Sequence, residues 1–382
     1  LRIAILGTKG FPDVQGGIER HCQELYRRLA LMGCKVRVYA RKGYVNPEKT
    51  VFDGVEIFPL WTVRRKNLEA IIHTFLGAVH IGLHKNSFDL VHIHAVGPSI
   101  LTPLVRLFGL KVIVTNHGPD YDRPKWGYFA KMILHLGEFL GTRYATAVIA
   151  VSNHIKNMLE EKYGREVFYI PNGVNIPMKV MPGSILRKYA LKEKGYVLAV
   201  GRLVREKGFH DLIAAYADIV TDWKLVIAGG ADIEDNYSKE LKEMTEKNCH
   251  IVMTGVMNEN DLAELYSNAA LFVSPSYQEG LPITVLEAMS FDLPVLVSNI
   301  PPHMELITSD FCIFPTGDVS VLKEKLHEFI KTPSYRETIL NNKELVKDEF
   351  DWDHISIKIL NIYRDMLFPD KTGNVISTNT IS

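Results

Sequence analysis

The chain has 382 residues, of which 47% are hydrophobic and 23% charged, and its 44 Lys/Arg are balanced by 44 Asp/Glu. These proportions are typical of a soluble globular protein, and the length suits two domains rather than one core. No stretch of 18 apolar residues occurs and the start lacks a signal-peptide pattern, so we expect neither a membrane span nor a signal peptide.

Charge is unevenly distributed along the chain. Residues 1–175 contain 23 Lys/Arg and 14 Asp/Glu, together with nine of the 14 His, and the remainder carries the compensating negative charge. A basic first half favours an anionic partner, either a phosphate-bearing substrate or a membrane surface, and an ordinary solvated surface is the alternative.

The four Cys have no CxxC spacing, so we expect buried, reduced thiols in a cytoplasmic protein. Because residue 1 is Leu, we also expect a few residues to precede it.

Short β-branched runs alternate with amphipathic segments along the whole chain, which predicts parallel sheets with crossover helices. In the first half the predicted strands are Arg2–Leu6, Lys35–Ala40, Val55–Phe58, Asp89–His94, Lys111–Thr115, Ala147–Val151 and Val167–Ile170. In the second half they are Tyr196–Gly201, Lys224–Ala228, His250–Thr254, Leu271–Ser274, Pro294–Ser298 and Cys312–Phe314.

One break interrupts this alternation, at residues 170–177, where Pro and Asn-Gly stop both helix and strand. The pattern therefore predicts an α/β protein with two doubly wound domains, residues 1–175 and 176–352. The polar, aperiodic residues 369–382 are interpreted as a disordered tail.

The first predicted strand leads into a long loop, residues 7–20, in which Gly16 and Gly17 precede a predicted helix. The loop has neither the GxGxxG nor the P-loop spacing, so no nicotinamide or Walker-type site is predicted. Two residues without side chains let backbone amides approach a diphosphate, and a helix N-terminus favours negative charge. The paired glycines therefore predict a diphosphate-binding turn rather than a merely flexible one.

His117 follows the predicted strand Lys111–Thr115 and precedes a charged loop broken by Gly and Pro. Ligands of parallel sheets sit beyond the carboxyl ends of strands, so we interpret His117 as a site residue rather than a structural one.

Metal-binding patterns are weak in this chain. Asp120-Tyr121-Asp122 and Asp351-Trp352-Asp353 each offer only two carboxylates. His92 and His94 share one face of a predicted strand and could hold a transition metal, but no Cys or carboxylate partner is near them in sequence. We therefore interpret the two His as polar groups facing a cleft and predict no metal.

The second half repeats the strand-end pattern with cations. Arg202 and Lys207 bracket the loop after its first predicted strand, and Arg through its planar fork and Lys as a point charge both suit phosphate oxygens. An exposed surface charge is the alternative. Gly229-Gly230 and Gly255 end the next two strands, which suits a nucleoside lying against the backbone.

The segment Glu279-Gly280-Leu281-Pro282-Ile283 opens a predicted helix that contains Glu287. Pro282 near the first helical position leaves neighbouring amides free for an anion. At 100° per residue the two Glu positions differ by only about 80° around a helix axis, so both could border one ligand. A surface Glu and a helix-face Glu are the alternative.

In this order, these pieces resemble the retaining glycosyltransferases of family 4, which have the GT-B fold of two Rossmann-like domains facing across a cleft. The match runs along nearly the whole chain and comprises Gly16-Gly17, His117, 171–174, Gly201-Arg202 with Lys207-Gly208, and Glu279-Gly280 with Glu287. Segments 7–20 and 117–126 look most like a bacterial polysaccharide subgroup with rhamnosyltransferase-like members. The chain departs from the subgroup at Asn116, where the subgroup tends to have Val, and at Pro119-Asp120-Tyr121, where it tends to have Leu-Asp-Trp.

The resemblance implies a role for each matched residue. Gly16 and Gly17 would face the donor diphosphate, which Arg202 and Lys207 would neutralise, and Glu287 would bind the ribose. The donor sugar would meet Glu279 and the following backbone. That backbone comprises Gly280, Leu281, Pro282 and Ile283, and the implied catalytic set is His117, Arg202, Lys207 and Glu279.

The implied reaction is retaining transfer from a nucleotide-diphosphate sugar, with UDP expected before dTDP or GDP, and without a cofactor or catalytic metal. The implied acceptor is a hydroxyl of a glycan or lipid-linked molecule of the cell envelope, with Asp120, Arg123 and Lys125 as acceptor residues. The helix at 353–367 would return to the first domain, as it does in this fold. Arg64-Arg65-Lys66 and aromatic residues near 126–133 favour peripheral contact with the inner face of the membrane. Aromatic residues in the core beside solvated charges are the alternative, and no nucleic-acid partner is expected. A sugar-nucleotide epimerase of the same fold and a non-catalytic nucleotide-sugar-binding protein are the alternatives.

Overall fold

A computed structural model describes residues 1–63, 68–119, 121, 127–231, 234–246, 248–332 and 342–369. In chain order its strands β1 to β14 are Arg2–Leu6, Lys35–Arg41, Val51–Phe52, Val55–Leu60, Leu90–His94, Lys111–Asn116, Ala147–Ala150, Phe168–Tyr169, Tyr196–Val200, Lys224–Ala228, Ile251–Gly255, Leu271–Ser274, Val295–Ser298 and Ile313–Phe314. Every predicted strand is present within a residue or two at each end. The sequence missed only β3, because two residues are too few to show alternation.

The strands form two sheets. One has the order β3-β4-β2-β1-β5-β6-β7-β8 and the other β11-β10-β9-β12-β13-β14. All neighbours pair in parallel except β3 and β4, which form a short antiparallel pair. In each sheet the strand order reverses beside the first strand, so both sheets are doubly wound.

Helices lie between successive strands, and the last three follow β14. They are Gly17–Leu31, Glu69–Leu83, Thr102–Leu107, Tyr128–Tyr144, Asn153–Tyr163, Ser184–Lys188, Phe209–Ala217, Asn236–Glu246, Glu259–Asn268, Ile283–Ser290, Pro301–Met304, Val319–Lys331, Asn342–Glu349 and Trp352–Leu367. Among the described residues, no helix combines the length and the hydropathy needed to cross a membrane.

Local chemistry fixes several of the helix ends. The Ser152 hydroxyl accepts a hydrogen bond from the backbone N–H of Ile155 at 3.3 Å, which caps the helix Asn153–Tyr163, and Gly164 ends that helix in the left-handed conformation. Asn258 and Asp318 cap their helices in the same way. These caps satisfy amide groups that have no partner inside the helix.

The chain divides into two units, which we call unit 1 (Leu1–Asn172 and Trp352–Ser382) and unit 2 (Gly173–Asp351). The boundary falls three residues before the predicted one. The C-terminal helix Trp352–Leu367 belongs to unit 1, where Trp352, Ile355 and Tyr363 join the buried core. Of the predicted tail, residues 370–382 lie outside the described part of the chain.

Two expectations from the sequence were wrong in detail. Cys22, Cys34 and Cys312 are buried as expected, but Cys249 is exposed because it lies in the loop before β11. His92 and His94 were expected to face a cleft, but both are fully buried within unit 1.

Candidate active site

In unit 2 the carboxyl ends of β9, β12 and β13 carry most of the predicted site residues. These strands are neighbours in one parallel sheet, so the loops that follow them emerge at the same edge. Gly201 and Arg202 follow β9, the loop 275–282 follows β12, and His303 lies in the helix after β13.

Lys207 and Glu279 form an ion pair at this edge. The Lys207 ammonium donates to Glu279 Oε1 at 2.5 Å, and the Ser276 hydroxyl donates to the same oxygen at 2.7 Å. Only 18% of the Lys207 side chain and 12% of the Glu279 side chain are exposed. The structure thus brings together the predicted phosphate cation and the predicted sugar-binding carboxylate, although 72 residues separate them in sequence.

The carboxylate of Glu279 stays ionised in this environment. Burial alone would raise the pKa of its carboxyl, but the Lys207 ammonium, the hydrogen bonds from Lys207 and Ser276, and nearby His303 together hold that pKa below its usual value of 4.5. Burial lowers the pKa of His303 to about 4, so its ring is neutral at pH 7. The Glu279 carboxylate and the Lys207 ammonium therefore face each other as opposite charges.

The loop that carries Glu279 is tied down along its length. Tyr277 donates through its backbone N–H to the Glu206 carbonyl at 2.8 Å and through its hydroxyl to Asp211 Oδ2 at 2.6 Å. The Ser298 hydroxyl donates to the Ser276 carbonyl, and the ring Nδ1 of buried His303 contacts the Ser298 carbonyl at 2.9 Å.

Gly208 is required where this loop meets the loop of Lys207. Its φ is 66°, and a Cβ at this position would lie 2.0 Å from the Pro275 carbonyl oxygen. Any side chain would push the two loops apart and would separate Lys207 from Glu279.

Glu287 has a different environment from Glu279. It lies in the helix Ile283–Ser290, and its Oε2 accepts a hydrogen bond from the Tyr266 hydroxyl at 3.0 Å. Leu281 and Pro282 are buried, so only their backbone could meet a ligand. Pro282 is the N-cap of the helix rather than its first residue.

In unit 1 the helix Gly17–Leu31 begins at the second glycine of the Gly16-Gly17 turn, whereas the sequence placed both glycines before the helix. A Cβ on Gly16 would lie 2.0 Å from Glu19 Oε2, whereas a Cβ on Gly17 would have no described atom within 4 Å. Glu19 Oε1 accepts a hydrogen bond from the Lys9 backbone N–H at 3.0 Å. Gly16 therefore leaves room for a carboxylate of the chain itself, and Gly17 is the glycine with open space above it.

His117 lies just beyond β6, where the sequence placed it, and it is partly exposed. Its Nε2 is 2.9 Å from His94 Nδ1, and His94 Nε2 is 2.5 Å from the Tyr26 hydroxyl. The Asn116 side chain accepts from the Gly118 backbone N–H at 2.8 Å, which shapes the turn after His117. Burial, followed by the neighbouring His21 and His92, lowers the pKa of His117 well below its usual value.

The predicted acceptor residues Asp120, Arg123 and Lys125 lie outside the described residues, as does Arg64-Arg65-Lys66. Of the second two-carboxylate pattern, Asp353 Oδ1 accepts from Arg28 Nε at 2.6 Å. That carboxylate therefore fastens the C-terminal helix to the helix Gly17–Leu31.

Two protein-family models match the chain. One, described as glycosyl transferases group 1, matches residues 184–346, and the other, glycosyltransferase family 4, matches residues 15–176. The chain is a family 4-like glycosyltransferase.

Curated relatives match the glycosyltransferase over nearly all or over part of its length. It is 26% identical over 393 residues to an uncharacterized glycosyltransferase of Methanocaldococcus jannaschii, with 95% of this chain and 98% of that protein covered. It is 28% identical over 244 residues to the UDP-Gal:alpha-D-GlcNAc-diphosphoundecaprenol alpha-1,3-galactosyltransferase of Escherichia coli, with 60% of this chain and 62% of that protein covered.

Solved structures resemble the glycosyltransferase over almost all of both chains. Sucrose-phosphate synthase from Thermosynechococcus elongatus superposes with a TM-score of 0.80 at 22% identity, covering 96% of this chain and 98% of that one. Anabaena HepE in complex with UDP-glucose has a TM-score of 0.77 at 18% identity, covering 94% and 98%. The predicted GT-B fold, with two Rossmann-like domains, is confirmed.

Sequence reasoning missed several residues that shape the site of the glycosyltransferase. Ser276 precedes Glu279 by three residues in the same loop, and its position there was a usable signal. His303 gave a weaker one, since it follows β13 by five residues. His21 gave none, because only the packing of its helix brings it to His94 and His117.

Proposed function

We propose that this glycosyltransferase transfers a sugar, with retention of anomeric configuration, from a nucleotide-diphosphate sugar to a hydroxyl of a glycan or lipid-linked acceptor of the cell envelope. The observation that carries the proposal is the partly buried ion pair of Lys207 and Glu279 at the carboxyl edge of the unit 2 sheet. An ammonium suits a diphosphate oxygen, and a carboxylate suits the hydroxyls of the sugar attached to it.

The relatives support the choice of substrate class. The solved HepE structure contains UDP-glucose, and the name of the E. coli relative specifies a UDP-sugar donor and a diphosphoundecaprenol acceptor. We accordingly propose UDP as the first candidate for the nucleotide of this chain, before dTDP and GDP. We also propose that the chain belongs to the subgroup with rhamnosyltransferase-like members. Only the resemblance of segments 7–20 and 117–126 supports this assignment.

The residues divide the work as follows. Lys207 and Arg202 stabilise the charge that develops on the leaving diphosphate, Glu279 orients the sugar, and Glu287 binds the ribose. His117 lines the reaction centre, and the Gly17 amide contacts the diphosphate. The leaving diphosphate helps to deprotonate the acceptor hydroxyl, so catalysis rests on positioning and on electrostatic stabilisation without a catalytic metal.

A thermal-shift panel of UDP-, dTDP- and GDP-sugars tests the donor. A ligand at 100 times its dissociation constant stabilises the folded state by about 2.7 kcal/mol, so one nucleotide class is expected to raise the melting temperature while the other two do not. Lys323→Ala serves as a control variant, because Lys323 is an exposed cation of unit 2 paired with Asp218. This variant should show the same thermal shift as the unchanged chain.

Product analysis then separates transfer from its alternatives. With donor and a lipid-linked acceptor, an α-linked product is expected from an α-linked donor. Product formation should continue in the presence of EDTA. If none of the three nucleotide sugars raises the melting temperature, the proposed donor site is refuted. An epimerised sugar in the absence of acceptor would favour the epimerase, and binding without any turnover would favour the non-catalytic protein.

We also propose that unit 1 binds the anionic inner face of the membrane through the helix Tyr128–Tyr144. Its exposed face carries Tyr128, Phe129, Met132, Leu136 and Phe139, with Tyr128 80% and Phe129 75% exposed. The opposite face is buried against unit 1 through Leu134, Gly137, Glu138, Gly141 and Thr142.

Basic residues accompany this apolar stripe. Lys131 and Arg143 lie on the same helix, and Arg106 and Arg165 lie beside its C-terminal end. An apolar stripe with cations around it is the pattern of a helix that lies in the interface of an anionic bilayer.

Sedimentation with phosphatidylglycerol vesicles tests this contact. Binding is expected at low salt, weaker binding at high salt because the lipid charge is screened, and a loss of about tenfold for Phe129→Ser combined with Met132→Ser. Val220→Ser, which removes an exposed side chain of unit 2, should bind like the unchanged chain. Equal sedimentation with neutral vesicles, or none at low salt, would contradict the proposal.

A further inference from the structure

Three imidazoles converge in unit 1 from distant parts of the sequence. His21 comes from the helix Gly17–Leu31, His94 from the end of β5 and His117 from the loop after β6. One ring nitrogen from each lies within 4.8 Å of the others. The sequence predicted no metal here because His94 lacked a further ligand nearby, and His21 supplies one.

One nitrogen of this cluster has an unsatisfied lone pair. His21 is 1% exposed, and among the described residues its Nε2 has no hydrogen-bond partner. Its Nδ1 is 2.9 Å from Asn172 Oδ1, which only accepts, so Nδ1 carries the hydrogen and Nε2 carries the lone pair. A buried acceptor without a partner destabilises the folded state, and a bound cation would remove that penalty.

The other two rings are held in a suitable way. His94 Nδ1 and His117 Nε2 face each other at 2.9 Å, and the remaining nitrogen of His94 contacts the Tyr26 hydroxyl. Metal-binding His residues almost always bond through their second nitrogen to a polar group of the protein. Here Asn172 fills that place for His21 and Tyr26 fills it for His94.

We propose that His21 Nε2, His94 Nδ1 and His117 Nε2 bind one divalent transition-metal ion, with Zn²⁺ the first candidate. Three imidazole ligands with a fourth position open are a common zinc arrangement, and His117 is partly exposed, which leaves a route for entry. Zn–N bonds of about 2.0–2.1 Å in a tetrahedron put nitrogens about 3.4 Å apart, so small side-chain movements would complete the site.

Protons do not oppose this binding at neutral pH. Burial lowers the pKa of His21 to about 4 and the pKa values of His94 and His117 well below the usual 6.5, so all three rings are neutral. One hydrogen lies between His94 Nδ1 and His117 Nε2. When a metal binds, this hydrogen would move to the second nitrogen of whichever ring carries it.

Bound metal is expected to inhibit sugar transfer, because it would immobilise the ring of His117. We propose that this ring lines the reaction centre. This consequence rests on the proposed function, whereas metal binding does not. The two therefore fail separately: binding is measured without any nucleotide sugar.

Equilibrium dialysis of the tag-free full chain against ZnCl₂, after removal of metal with EDTA, tests the site. One equivalent is expected to bind, and Co²⁺ in its place should give the visible absorption bands of a tetrahedral site. His21→Asn keeps an N–H donor for Asn172 but removes the ligand nitrogen, and it should weaken binding by about 100-fold or more. His327→Ala, an exposed His of unit 2, should bind like the unchanged chain.

A second variant guards against misfolding of the first. His117→Asn changes a partly exposed side chain, and its circular dichroism should match that of the unchanged chain while zinc affinity falls by a similar factor. Substoichiometric binding by the unchanged chain, or equal affinity in His21→Asn and the unchanged chain, would overturn the proposal.

Discussion

Replacing Lys207 with Met is expected to lower kcat for sugar transfer by about 100- to 1,000-fold, the usual effect of removing one group that stabilises charge in the transition state. The ammonium of Lys207 lies beside the carboxylate of Glu279 at the strand edge where we propose that the diphosphate binds. Steady-state kinetics with saturating donor and acceptor measure the effect. Turnover within about threefold of the unchanged chain would contradict the phosphate-binding role.

Stability must be separated from catalysis in this variant. Lys207→Met leaves a buried carboxylate without its cation, which should destabilise unit 2 by about 1–3 kcal/mol and raise the pKa of Glu279. Adding Glu279→Gln removes the unpaired charge. In urea unfolding the double variant is expected to recover most of the lost stability, while transfer stays low because both polar roles are gone.

Replacing His117 with Ala is expected to lower kcat by about 100-fold or more while the affinity for the free nucleotide changes less than about twofold. A group that lines the reaction centre contributes in the transition state, whereas most of the proposed nucleotide contacts come from unit 2. Initial rates and nucleotide titrations by calorimetry give the two quantities.

The matched control for His117 is His84→Ala, since His84 is an exposed His of the same unit. It should leave both quantities unchanged. A proportional loss of nucleotide affinity and turnover in His117→Ala would instead indicate that unit 1 had lost its structure, and unchanged turnover would remove His117 from the site.

The sheets and the unit 2 loops could be predicted from the sequence because their signals are local. Alternating β-branched runs marked the strands, and the rule that ligands meet the carboxyl ends of parallel strands directed attention to Lys207 and Glu279. Their pairing with each other required knowledge that β9 and β12 are neighbours.

The histidine cluster could not be predicted, for a different reason. His21, His94 and His117 are joined by the way the helix Gly17–Leu31 lies on its sheet, which is decided by packing of the whole core. The Gly16-Gly17 turn was only partly interpreted for the same reason, since nothing local indicated that the Glu19 carboxylate would lie over Gly16.

The loop 275–279 is held in one conformation by hydrogen bonds to the rest of unit 2. Ser276, Tyr277 and Glu279 each have hydrogen-bond partners within unit 2 itself. Immobilising a flexible side chain on binding costs about 0.5–1.5 kcal/mol, and here that conformational entropy is lost when the chain folds. Differences in affinity among nucleotide sugars should therefore reflect shape and charge at this edge more than the ordering of the protein.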